Sequence, residues 1–203
     1  MDRARMEAFS DGVFAVAITL LVVNLAVPKH GGPPIVHQLS AAWPSFVAYL
    51  ISFLTIGIIW VNHHALVTNI AVVDRTLLFL NLLLLMFVVT IPFSTAMMAD
   101  FLTSGGQDAD VATAIYALDF ELMSLCFAAV FEWTLREDAR LHIPVPESAR
   151  WAVRRRFGAG LLPYAVAIGL AFLSPYVALA LTGLVAVYYA FEETPRRARP
   201  DGG

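Results

Sequence analysis

Uncharged apolar runs, each about as long as a bilayer is thick, recur along this chain and restrict its fold more than any other feature. The first extends from Gly12 to Val27 without a charged residue. At 1.5 Å per residue it makes roughly 24 Å of helix, against a hydrocarbon core of about 30 Å. The composition agrees: 59% of the 203 residues are hydrophobic and 14% charged, with a mean hydropathy of +0.73, where a soluble domain carries about 45–50% apolar residues. The chain reads as an all-α, polytopic membrane protein.

Six spans are expected. The first covers Arg5 to Val27 and lacks a small-residue cleavage site, so it is expected to persist rather than be removed as a signal peptide. Residues Pro28 to Pro34 cannot be helical. A second span starts at Trp43-Pro44, with proline where its missing N–H costs nothing, and runs to about Leu66. The third opens at Asp74-Arg75 and continues through Leu77 to Met98, with Asn81 and a kink expected at Pro92. The fourth, Ala112 to Trp133, is interrupted by Asp119 and Glu121. A charged connection from Arg136 to Arg156 precedes two last spans, Phe157 to Leu173 and Tyr176 to Phe191, which are separated by Ser174-Pro175. Residues 1–192 thus form one six-helix domain, and 193–203 a disordered basic tail.

Charge supports this count. With the N-terminus in the cytoplasm, twelve of the thirteen Lys and Arg residues fall on the cytoplasmic side and only Lys29 outside, as the positive-inside rule requires. Both termini are then cytoplasmic and the protein is multi-pass. The net charge of -3 conceals this segregation and gives no reason to expect a nucleic-acid partner. Cys126 is the sole cysteine, which excludes an intrachain disulfide or a cysteine metal cluster.

This topology brings Ser10-Asp11, Trp60 to His64 and Asp74 to Asn81 to one membrane level. Ionisable groups beside hydrocarbon need partners, and Arg5, Asp11, His63 and Asn81 are suited to satisfy one another. Such a cluster reads first as glue between helices, with proton sensing or gating as the alternative. Asp119 and Glu121 read similarly, as residues of the bundle interior or as a proton pathway. No metal site is expected from His63-His64, because adjacent helical side chains point about 100° apart and no further His/Glu set completes one. No nucleophile elbow or phosphate loop points to an enzyme. Along the first span, Val16, Leu20, Val23 and Val27 share one stripe with Thr19 beside it. By periodicity alone such a stripe faces lipid or a sister helix far more often than a pore.

The combination Arg5-x-x-x-Phe9-Ser10-Asp11, Trp60-x-x-His63 and Asn81 followed eleven residues later by Pro92 resembles the transmembrane protein 175 family, the endosomal and lysosomal potassium channels and their prokaryotic relatives. The resemblance implies a single-repeat, prokaryotic form in the plasma membrane, a homotetramer in lipid with four copies of the first helix around a potassium path. It implies constrictions at Val16, Leu20 and Val23 in place of a TVGYG filter, ion coordination by Thr19, and a structural polar network of Arg5, Ser10, Asp11, Trp60 and His63, with Asn81 as an addition. Val16 is smaller than the isoleucine or leucine that the resemblance leads one to expect. Potassium would be the permeant ion, and no cofactor is expected. The competing functions are a proton-coupled secondary transporter relaying through Asp11, His63, Asp119 and Glu121, and a non-conducting membrane scaffold.

Overall fold

Caps and prolines set where the helices begin. The computed structural model describes residues 2–136, 140–143 and 145–191, and among them lie seven α-helices and one isolated β-bridge. Helix α1, Arg3–Val23, starts after Asp2, whose carboxylate accepts from the Ala4 amide. Helix α2, Ile35–Ala41, is a short element after Pro33-Pro34 that hydropathy did not reveal. Helix α3, Trp43–Val67, has Pro44 in its first turn. Helix α4, Arg75–Phe101, is capped by Asp74, which accepts from the Leu77 amide at 2.7 Å, and continues through Pro92. Gly105 and Gly106, at φ 69° and 68°, make the left-handed turn into α5, Gly106–Leu135. Helices α6, Glu147–Ala171, and α7, Pro175–Phe191, complete the bundle.

Four of these helices, α1, α3, α4 and α5, are long and apolar enough to cross a membrane. The apolar part of α6, Gly160–Ala171, and the whole of α7 are shorter. Several expected boundaries move: α5 begins at Gly106 rather than at Ala112. The first helix ends at Val23, because the Asn24 and Leu25 amides turn back onto the Leu21 and Val22 carbonyls; Val27 therefore leaves the stripe. The connection expected over Arg136 to Arg156 is helical from Glu147 onward, with Pro146 at its N-cap. The tail expected over 193–203 lies outside the described residues.

Contacts at the two ends fix the direction of each helix. At the arginine-rich end, Arg3 donates to the Thr68 carbonyl at 2.7 Å, and Arg154 of α6 forks onto Glu132 of α5 at 2.8 and 2.7 Å. Asp74 accepts from the Trp133 indole at 3.0 Å and meets Arg140 at 3.5 Å, while Arg140 also lies 4.4 Å from the centre of the Trp133 ring. The chain after α5 folds back onto the α3–α4 loop: Ile70 bridges Leu141, and the Asn69 side chain both donates to and accepts from the Ile143 backbone. At the opposite end Asn24 donates to the Pro92 carbonyl at 2.8 Å, and Trp43 stacks on Tyr176.

Helices α4 and α5 form the centre, with α6 and α7 on the far side of α5 and α3 reaching α7. Phe14, Ile56, Leu84, Tyr116, Phe120 and Phe127 fill the core. Helix α1 lies at the periphery, packed on α3 and α4. Among the described residues, that placement leaves one side of α1 without a neighbouring helix.

Candidate functional site

The two faces of α1 differ sharply. Met6, Ser10, Phe14, Ala17 and Leu21 are buried against α3 and α4, following the i, i+3, i+4, i+7 rhythm of a packed helix. On the other side Arg5, Phe9, Gly12, Val16, Thr19, Leu20 and Val23 form a continuous exposed stripe. Val16 is 53%, Leu20 44% and Val23 74% exposed, against 1% or less for Phe14, Ala17 and Leu21. Within the stripe Thr19 turns its hydroxyl back to the Val16 carbonyl at 2.9 Å. Thr19 thus lies exposed beside the methyl groups of Val16, Leu20 and Val23 on the same side of the helix.

The buried face of the same helix carries a directed chain of hydrogen bonds. Ser10 Oγ donates to the Met6 carbonyl at 2.9 Å and accepts from Asn81 Nδ2 at 3.0 Å. Asn81 Oδ1 in turn lies 2.7 Å from His63 Nε2; because that amide oxygen can only accept, Nε2 carries the proton. Among the described residues His63 Nδ1 is buried without a partner, and the ring packs against Phe14 at 5.4 Å. Asp11 belongs to a separate contact, accepting from the Trp60 indole at 2.9 Å. The structure thus brings Ser10, His63 and Asn81 together in one group and Asp11 with Trp60 in another. Arg5 joins neither: it is exposed and makes no hydrogen bond or ion pair among the described residues. The reason is angular, since Arg5 lies roughly 140° around the helix from Ser10.

The family model of the endosomal/lysosomal potassium channel TMEM175 matches residues 5–92, the part of the chain that carries both groups. A potassium channel of Streptomyces collinus is 48% identical over 96% of this chain and 94% of its own length. The chain belongs to the TMEM175 family. A potassium channel of Chamaesiphon minutus is 37% identical over 93% of this chain and 94% of its own. The crystal structure of a lysosomal potassium-selective channel TMEM175 homolog from Chamaesiphon minutus superposes with a TM-score of 0.80 at 35% identity, covering 93% of this chain and 96% of that one.

In this TMEM175 chain two further acids, Asp119 and Glu121, lie on α5, apart from α1. Asp119 is 7% exposed, and its two oxygens accept from Thr90 and Ser94, both at 2.7 Å. Those hydroxyls stand one turn apart on α4, so they meet a carboxylate arriving from α5. Glu121 keeps one buried oxygen without a partner among the described residues. A second buried group joins three helices through Ser52, which lies 2.8 Å from Thr95 Oγ1 and 3.0 Å from the Tyr116 hydroxyl. Neither hydroxyl set stood out in the sequence. The signal was there in α4, where Thr90, Ser94 and Thr95 interrupt an apolar run at helical spacing. The contact of Glu7 Oε1 with His64 Nδ1 at 3.3 Å, beside Asp11, was also missed.

Proposed function

We propose that the chain is a potassium-selective but leaky cation channel whose pore is formed by four copies of α1 around a central axis. The observation that carries this reading is the exposed stripe of Val16, Thr19, Leu20 and Val23 on a helix whose opposite face is fully packed. Support comes from the related potassium channels of Streptomyces collinus and Chamaesiphon minutus. Val16, Leu20 and Val23 act as hydrophobic constrictions that hold back an ion until the ring widens, and four Thr19 hydroxyls replace waters of hydration. In this reading all six apolar helices cross the plasma membrane, both termini are cytoplasmic, and α6 and α7 cross despite their shorter apolar stretches. The protein is not an enzyme and needs no cofactor; potassium passes through it. Ser10, Asp11, Trp60, His63 and Asn81 are structural, fastening α1 to α3 and α4.

Purified protein in liposomes under a potassium gradient tests the reading. Passive, voltage-driven potassium flux that exceeds sodium flux is expected. Flux that requires a proton gradient overturns it in favour of a transporter, and absence of flux in favour of a scaffold. Crosslinking or native mass spectrometry is expected to show four chains per particle.

A further inference from the structure

We propose that Glu7, Asp11 and His64 form a binding site for a divalent transition cation of the Zn2+ class, bridging the first turns of α1 to the last turn of α3. The three side chains offer ligand atoms that all lie within 4.8 Å of one another. The Glu7 Oε1 to His64 Nδ1 separation is 3.3 Å. That equals the edge of a tetrahedron whose corners stand about 2.0–2.1 Å from the centre, the usual Zn–N and Zn–O distance. That contact has the spacing of two such corners, and the Asp11 oxygen not held by Trp60 supplies the third, with water at the fourth.

Sequence spacing explains why the site can exist. Glu7 and Asp11 are four residues apart on α1 and share one face, where two carboxylates repel each other unless a cation lies between them. Trp60 and His64 are likewise four apart on α3 and present one face to that pair. The Trp60 indole binds one Asp11 oxygen at 2.9 Å, orienting the carboxylate and leaving its other oxygen for a ligand bond, as outer partners do in metal sites. The Trp60 ring also lies 6.1 Å from the His64 ring. Neither nearby arginine neutralises the pair: Arg3 donates to the Thr68 carbonyl, and Arg5 makes no ion pair among the described residues. One imidazole with two carboxylates selects zinc, cobalt or nickel over potassium, magnesium or calcium, which prefer oxygen alone. His63 plays no part, because it is buried against Asn81 while His64 turns to Glu7.

Calorimetric titration of the full chain in detergent with Zn2+ tests the proposal without reference to conduction. One Zn2+ per chain is expected, with affinity at least tenfold weaker in Glu7→Gln and in His64→Ala and unchanged in His37→Ala. Retained affinity in both Glu7→Gln and His64→Ala, or loss in His37→Ala, overturns it. Glu7→Gln is isosteric, and its elution as a sharp oligomer peak shows that a loss of affinity is not a loss of fold. As an independent readout, Co2+ added to the unmodified protein is expected to give the intense visible bands of a tetrahedral ion, abolished by Zn2+. A pale octahedral spectrum at one equivalent counts against the site.

Discussion

Asn81 is the residue on which most depends locally. It accepts from His63 and donates to Ser10, so one side chain joins α1, α3 and α4 at a buried point. Replacing it by alanine leaves the His63 Nε2–H unpaired in an apolar surrounding, at about 1–3 kcal/mol, while Ser10 keeps only its bond to the Met6 carbonyl. Asn81→Ala is therefore expected to lower the unfolding temperature in detergent substantially, and a midpoint equal to that of the unmodified protein shows that the chain of bonds contributes nothing. Asp74 acts at the helix end. Partial burial works against its ionisation, but the Leu77 amide, the Trp133 indole and the Arg140 charge together hold its carboxyl below the usual range. A depressed carboxyl stabilises the fold above its unfolded pKa of about 3.9 and loses that contribution as the pH falls through the folded value. The unmodified protein is expected to exceed Asp74→Asn in stability at about pH 7 and to converge with it below about pH 4. Melting curves over that range decide this. Asp74→Ala removes the cap as well and is expected to cost about 1 kcal/mol.

Helix pairs meet where small residues allow close approach. A Cβ placed on Gly160 of α6 would fall 2.5 Å from the Tyr189 hydroxyl and 3.3 Å from its ring carbon Cζ. Gly160→Ala must therefore push the Tyr189 ring aside, and overpacking of this kind costs about 1–3 kcal/mol. Adding Tyr189→Phe removes the atom in the way, so the double variant is expected to recover part of the loss; additive destabilisation in a double-mutant cycle argues that the two do not meet. The same scale shows how hydropathy misjudged the α5–α6 connection. Trp151 and the arginines Arg150, Arg154 and Arg155 are helical in α6, although their charge places them outside an apolar window. Arg154 forks onto Glu132 and Arg150 reaches the Val145 carbonyl, so this turn is anchored by polar contacts that a search for spans does not register.

For the whole molecule, α1 is the helix whose exposed side meets other copies of the chain in the proposed assembly. The polar groups on its packed side hold it to α3 and α4, while Val16, Thr19, Leu20 and Val23 face away. If four such faces surround the ion path, the narrowest ring governs both rate and preference. Val16→Ala and Val16→Asn are each expected to raise ion flux in liposomes several-fold and to loosen the preference for potassium over sodium. Unchanged conductance and selectivity in both variants remove Val16 from the path. Asp11→Ala, which leaves the Trp60 indole without its acceptor, is expected to reduce the yield of assembled oligomer more than the flux per oligomer. Size-exclusion profiles set beside single-channel currents separate the two effects.

Much of this protein is written locally. Runs of apolar residues, Pro44 in a first turn, Asp74 at a cap and the Gly105-Gly106 turn specify helices through contacts within a few residues, and these are readable from the chain alone. The Arg5 to Asp11 signature was also legible, since it identifies relatives without reference to geometry. What a sequence this uniformly apolar does not carry is the rotation of each helix about its axis. With apolar residues on every side, no periodicity separates the face that meets a neighbour from the face that does not. Only the packed structure decided that Ser10 turns to Asn81 while Arg5 turns away, that Asp119 is closed by Thr90 and Ser94, and that His64 leaves its neighbour to meet Glu7. The physical reason is the same in each case. These partners lie tens of residues apart, and their encounter depends on how whole helices pack rather than on any stretch of chain.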